Sequence, residues 1–191
     1  MKIHSFTSKL EKIASINHMT CKLYLSLYRK AVLSEIRSAN INKNDKILII
    51  GGGAIPYTGI IMSEYAKEVT IIDRDKEAVE IAKMHVKKLR ITNVTLIQCC
   101  GENIDASNFS KIFIPLQAEP KCQILNKLKG TAMKNTEIII RLPKERFAKT
   151  YTSHNELPIK NFQISTDVNQ ITFDKTLFCL AKDIISNEAH I

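Results

Sequence analysis

A run of apolar, largely β-branched residues, Lys46-Ile47-Leu48-Ile49-Ile50, ends in three consecutive glycines, Gly51, Gly52 and Gly53, followed by Ala54, Ile55 and Pro56. Glycines at a strand end let the backbone approach a ligand more closely than a residue with a side chain allows. A second apolar run, Val69-Thr70-Ile71-Ile72, ends in Asp73, 22 positions after Gly51. At about that spacing a nucleotide-binding βαβ unit sets a carboxylate against ribose hydroxyls. Glycine turn and acid together point to a ligand that carries adenosine. Asp73 could instead cap the helix that follows, as Asp75 could; we assign binding to Asp73 and capping to Asp75.

The turn argues against a dinucleotide. That fingerprint uses a third small residue to bring a helix close to its strand and aim its N-terminus at a pyrophosphate. Pro56 stands there instead; its ring fills the space and it has no N–H to offer. No Lys-Ser or Lys-Thr pair follows the glycines, which excludes a phosphate-cradling Walker loop. A cofactor with a ribose and no phosphate suits the turn better, and S-adenosylmethionine is the candidate.

The elements around these residues alternate. Strands are expected at Ile47–Ile50, Val69–Asp73, Val94–Gln98, Lys111–Pro115 and Glu137–Leu142, with helices at Ile55–Ala66, Lys76–Leu89 and Glu119–Leu128. The alternation implies an α/β, Rossmann-like doubly wound sheet, mostly parallel. After it come two strand-like runs, Asn161–Ser165 and Thr176–Ala181, with no helical pattern between them. A parallel crossover needs about a dozen residues and a helix, so a C-terminal antiparallel hairpin is expected. Residues 6–38 read as N-terminal helices, with a capping box at Ser8–Glu11 and an apolar stripe through Tyr24, Leu27, Tyr28, Ala31 and Ile36. The expected organisation is a helical extension over 1–44 and a cofactor-binding domain over 45–191.

Composition narrows the setting. The chain has 191 residues and is 45% hydrophobic, enough for one packed core. No apolar run is long enough to span a membrane, and the start lacks the apolar stretch of a signal peptide. Five cysteines without a Cys-x-x-Cys pair give zinc little support and fit reduced thiols in a cytoplasm. Cys99 and Cys100 read as small apolar residues ending a buried strand. His18, His85 and His154 have no ligand spacing, and no metal is expected. The net charge is +9, but the basic residues are spread along the chain and aromatics make up only 6%. We therefore expect nucleic acid to be an unlikely partner and the charge to be compositional.

From about Asn40 onward the chain resembles a class I S-adenosylmethionine-dependent methyltransferase domain. More narrowly, Gly51-Gly52-Gly53-Ala54-Ile55-Pro56-Tyr57-Thr58 resembles the Gly-Ser-Gly-Pro-Leu-Pro-Leu-Thr turn of nicotianamine synthases, which share the proline at the helix start and the threonine after it. The usual methyltransferase glycine at position 55 is Ile55 here. The resemblance implies that Gly51, Gly52, Gly53 and Ala54 face the cofactor's amino-acid end and that Asp73 holds the ribose, with Arg74 beside the adenine. It implies that Gly101, Glu102 and Asn103 reach the adenine edge, and that Pro115, Leu116 and Gln117 lie next to the transferred group. Glu102 could equally be a solvated loop residue. Arg141, Lys144 and Arg146 could form a carboxylate site or a solvated charge run.

The sulfonium of such a cofactor activates more than one carbon. Attack on the methyl gives methylation, and attack on the methionine γ-carbon transfers the aminocarboxypropyl arm, as nicotianamine synthases do. Ile114-Pro115-Leu116-Gln117 replaces the Asn-Pro-Pro-Tyr type motif of enzymes that methylate nucleic-acid amines, and no residue stands out as catalytic. The expected function is methyl transfer to a small-molecule acceptor. The acceptor pocket is expected between Gly53–Tyr57, Pro115–Gln117 and the N-terminal helices. The alternatives are aminocarboxypropyl transfer and a non-catalytic cofactor-binding module.

Overall fold

The computed structural model of the chain describes residues 18–168, 170 and 172–185; in the first helix, side-chain surroundings are described from Tyr28 onward. The capping box at Ser8–Glu11 and the side chain of Tyr24 lie outside the described residues. The order is α1 (His18–Ser38), β1 (Lys46–Ile50), α2 (Tyr57–Ser63), β2 (Glu68–Asp73), α3 (Lys76–Lys88), β3 (Val94–Gln98), β4 (Lys111–Ile114), α4 (Lys121–Thr131), β5 (Glu137–Pro143), β6 (Gln163–Ser165) and β7 (Phe173–Leu180).

The strands form one sheet in the order β3-β2-β1-β4-β5-β7-β6. The first five neighbours pair in parallel, with Ile49 opposite both Ile71 and Phe113, and Phe113 opposite Ile139. β7 enters antiparallel to β5, and β6 pairs antiparallel to β7 at the edge. The fold is a Rossmann-like α/β sheet, mostly parallel with antiparallel C-terminal strands, as the sequence predicts. The order reverses between β1 and β4, and at such a switch point open α/β sheets leave a crevice at the carboxyl ends of their strands.

The central strands are apolar on both faces because both are covered. Leu48, Ile50, Ile112, Ile114, Ile138 and Ile140 face α4 residues Ile124, Leu125 and Leu128. Ile47, Ile49, Ile71, Phe113 and Ile139 face Val32 and Ile36 of α1 and Ile61 and Met62 of α2. The latter half of α1 thus contributes to the same core as the sheet.

Two local expectations differ from what is observed. The helix expected over 55–66 is reduced to Tyr57–Ser63, because Pro56 takes the cap position and leaves Ile55 exposed at 40%. β3 is not buried: it is half-exposed, with Ile97 at 42%. Among the described residues it pairs with β2 and no other strand, so its outer edge is uncovered. Cys99 and Cys100 are accordingly half-buried, and partial burial pushes the Cys99 thiol above its ordinary pKa.

Candidate functional site

The three glycines face three different surroundings. Gly51 and Gly52 both donate to the Ile72 carbonyl, at 2.8 and 3.1 Å, which folds the turn back over the end of β2. Gly51 has φ +88° and Gly53 φ +65°, a left-handed backbone that glycine adopts without a steric cost. A Cβ on Gly51 would lie 3.3 Å from Ala118 Cβ in the loop after β4, and one on Gly52 would lie 2.1 Å from Ile71 Cγ2 in the sheet. A Cβ on Gly53 would meet none of the described residues within 4 Å. The turn is therefore wedged on two sides and open on the third. Gly52→Ala should cost roughly 1–3 kcal/mol, because Ile71 is fully buried and has little freedom to give way. Chemical denaturation with an unchanged m-value checks this.

Asp73 sits at the open side. Its Oδ2 accepts from Gly53 N at 2.7 Å and its Oδ1 from Asp75 N at 3.0 Å. Two backbone donors fix the carboxylate, and each oxygen keeps a lone pair for a ligand hydroxyl. Asp75 Oδ1 accepts from Glu77 N at 2.9 Å and Ala78 N at 3.4 Å, and so caps α3. Asp75 is thus the cap that the sequence predicts for this helix, and the Asp73 side chain does not bond the helix N-terminus beyond Asp75 N.

The remaining positions line the same edge. Arg74 is exposed beside Asp73 and Ala54 is half-buried. Gly101–Asn103 form a single 3-10 turn after β3, in which Glu102 and Asn103 are exposed. Gly101 packs tightly, since a Cβ there would lie 2.6 Å from Ile50 Cγ2. After β4, Pro115 and Leu116 are buried and Gln117 is exposed. Strands β3, β2, β1 and β4 are neighbours in that order, so the segments after them form one continuous rim. The open turn and the tethered carboxylate fit a ribose-bearing cofactor.

A second constellation adjoins this rim, and sequence reasoning missed half of it. Arg141, near the carboxyl end of β5, is 3% exposed and forms a two-pronged ion pair with Glu35 of α1. Nε lies 2.9 Å from Oε1 and Nη2 lies 2.7 Å from Oε2. Its Nη1 donates to Tyr28 Oη at 2.8 Å, that hydroxyl lies 2.6 Å from Thr58 Oγ1 of α2, and Thr176 Oγ1 of β7 donates to Glu35 at 3.0 Å. The guanidinium also lies over the rings of Phe113 and Phe173, at 4.7 and 4.6 Å. Burial opposes its charge, but Glu35 and Tyr28 outweigh burial and hold it protonated well above the ordinary arginine range.

Arg141 is thus neither a free carboxylate site nor a solvated charge: the chain's own Glu35 occupies it. Lys144 is half-buried, and exposed Arg146 lies over the Phe147 ring at 4.9 Å. The local signal available was a lone Arg inside Ile138-Ile139-Ile140-Arg141-Leu142; nothing local marks its partner 106 positions away. Tyr28 is half-buried and packs against the core formed by α1, α2 and the sheet, as the apolar stripe predicts, with its ring 6.3 Å from that of Tyr57 just past the glycine turn. Among the described residues, no group of three or more His, Cys, Asp or Glu side chains could hold a metal ion, and no helix is long and apolar enough to cross a membrane.

No family model matches the sequence. Among curated proteins, a probable ribosomal RNA small subunit methyltransferase A of Methanosphaera stadtmanae is 29% identical over 114 residues, covering 60% of this chain and 41% of that protein. A protein-L-isoaspartate O-methyltransferase of Roseobacter denitrificans is 29% identical over 96 residues, 49% of this chain and 45% of that protein. The chain thus spans less than half the length of these relatives. Among solved structures, a mutant of MtNAS in complex with S-adenosylmethionine superposes with a TM-score of 0.74 at 18% identity, over 90% of this chain and 70% of that one. The tRNA methyltransferase TrmI of Aquifex aeolicus gives 0.61 at 18% identity, over 78% and 67%.

These findings correct one expectation. Nucleic acid was set aside as a partner, yet curated relatives and a solved neighbour are RNA methyltransferases. The physical ground for exclusion was too narrow. Phosphate contacts by dispersed lysines and arginines supply most non-specific affinity and need no aromatic stacking.

Proposed function

We propose that this chain binds S-adenosylmethionine along the rim formed by Gly51–Ala54, Asp73–Arg74, Gly101–Asn103 and Pro115–Leu116, and transfers its methyl group to an acceptor. The observation that carries the reading is the Asp73 carboxylate, fixed by Gly53 N and Asp75 N beside a turn that none of the described residues crowds at Gly53. In this reading Asp73 accepts from the ribose hydroxyls, and the exposed turn Glu102–Asn103 borders the adenine. When bound, the sulfonium supplies a carbon already activated for displacement. The chain's own part is to hold that carbon in line with the acceptor and to exclude competing water.

Methyl transfer is favoured by the curated relatives, which are named as methyltransferases. A second reading, aminocarboxypropyl transfer, is favoured by the likeness to MtNAS. That likeness reaches 91% of the chain in a complex with MTA and tNA, and the Pro56-Tyr57-Thr58 turn resembles nicotianamine synthases.

The experiment is incubation with S-adenosylmethionine labelled in its adenosine part, which both nucleoside products retain, in parallel with total RNA and with a metabolite extract, followed by separation of those products. Acceptor-dependent S-adenosylhomocysteine is expected. Acceptor-dependent methylthioadenosine above the spontaneous background would favour the second reading. Tight binding without turnover on either pool would reduce the chain to a cofactor-binding module.

A further inference from the structure

Lys121 is the first residue of α4, and its side chain is completely buried. The position is costly twice over. A buried ammonium loses its hydration, and a cation at a helix N-terminus opposes the helix dipole. Burial pulls its pKa below the ordinary lysine range, against the opposing pull of Glu119.

All three of its donors are nevertheless engaged. Nζ donates to the Leu116 carbonyl at 2.7 Å, the Ala118 carbonyl at 3.2 Å and Glu119 Oε1 at 2.7 Å. Two of these acceptors are backbone groups of the loop after β4, the loop that borders the transferred group in the proposed reading.

Glu119 extends the connection. Its Oε2 accepts from Lys121 N at 3.0 Å and from Thr152 Oγ1 at 2.7 Å, and its Oε1 accepts from Thr152 N at 2.9 Å. Burial pushes the Glu119 carboxyl up, but the bonds from Lys121 and Thr152 outweigh it and hold it below the usual range. The loop is thereby tied to the segment after β5. Leu116 packs with Ala31 of α1, Val168 and Phe173, and Tyr151 lies against the same cluster. On its other side Ala118 abuts Gly51, so a shift of the loop is felt at the glycine turn.

We propose that Lys121 is a positioning residue: its ammonium, latched through Glu119 to Thr152, sets the Leu116–Ala118 backbone against Gly51 and so fixes one wall of the cofactor cleft. This rests on the reading that the cleft takes S-adenosylmethionine. A helix that needed only an N-terminal start would have no use for a buried cation whose bonds run backwards into the preceding loop.

The test measures S-adenosylhomocysteine binding by calorimetry and thermal unfolding, on the full chain, for wild type, Lys121→Met, Glu119→Gln and the double variant. Lys121→Met should weaken binding about tenfold or more, the equivalent of losing one or two charge-assisted bonds. The double variant should lose no more than Lys121→Met alone, because both residues act through one loop. Should Lys121→Met fail to fold, Glu119→Gln and Thr152→Val, which keep the ammonium, are expected to weaken binding several-fold. Affinity unchanged within twofold in the folded variants, whatever happens to the melting temperature, would overturn the proposal and leave Lys121 a purely structural residue. A wild type that binds no S-adenosylhomocysteine would instead bring down the reading of the cleft, and the latch's role with it.

Discussion

Replacing Asp73 with alanine should weaken S-adenosylhomocysteine binding by about 100-fold or more while the chain remains folded. Two ribose hydroxyls donating to a carboxylate are each worth roughly 1.5–3 kcal/mol before compensation. The same substitution removes the acceptor that holds Gly53 N, so the turn loses its tether along with its ligand contact. Asp73→Asn separates the two effects. It keeps a carbonyl oxygen for Gly53 N and removes the charge, and should fall between wild type and alanine. Titration calorimetry checks both, with circular dichroism to establish folding. Equal affinities for wild type and Asp73→Ala would remove Asp73 from the site.

The second large effect is on stability. Arg141→Met alone should cost about 3–5 kcal/mol, because it strands the buried Glu35 carboxylate. For a domain of this size that lowers the melting temperature by roughly 10 °C. Glu35→Leu alone should cost about as much by stranding the guanidinium. The double variant should recover a large part of the loss, since removing both charges leaves no uncompensated ion. Thr176 and Tyr28 would still lose partners, so recovery should be incomplete. Denaturant titrations of the three variants give the coupling. Single variants within about 1 kcal/mol of wild type would show that the pair is better solvated than its 3% and 0% exposures indicate.

The two constellations differ in how far the sequence exposes them. The glycine turn is legible because its parts are local: Gly51–Gly53 end one apolar run, Asp73 ends the next, and βαβ geometry brings them together. The antiparallel close was legible from what the stretch between Ser165 and Thr176 lacks, since without a helix the chain cannot return in parallel. The insertion of β7 between β5 and β6 is a matter of long-range pairing that periodicity does not encode.

The Glu35–Arg141 pair was hidden for a similar reason. Glu35 stands between Ser34 and Ile36 on α1 with no local mark of burial, its partner lies 106 positions away, and the packing of α1 over β5 and β7 joins them. Lys121 was hidden by its type. A lysine at a helix start reads as a solvated end, and its burial follows from the path of the loop before it. Nucleic acid was set aside on the spread of charge along the chain and the few aromatics, and neither says where the fold displays that charge.

The central claim is that the rim around Gly53 and Asp73 takes an adenosine-bearing sulfur cofactor. Calorimetric titration of the wild-type chain with S-adenosylhomocysteine, beside an identical titration with NADH, tests it most directly. The expected result is saturable one-to-one binding of S-adenosylhomocysteine in the micromolar range and no comparable signal with NADH. Tighter binding of NADH, or no heat with the sulfur compound, would contradict it.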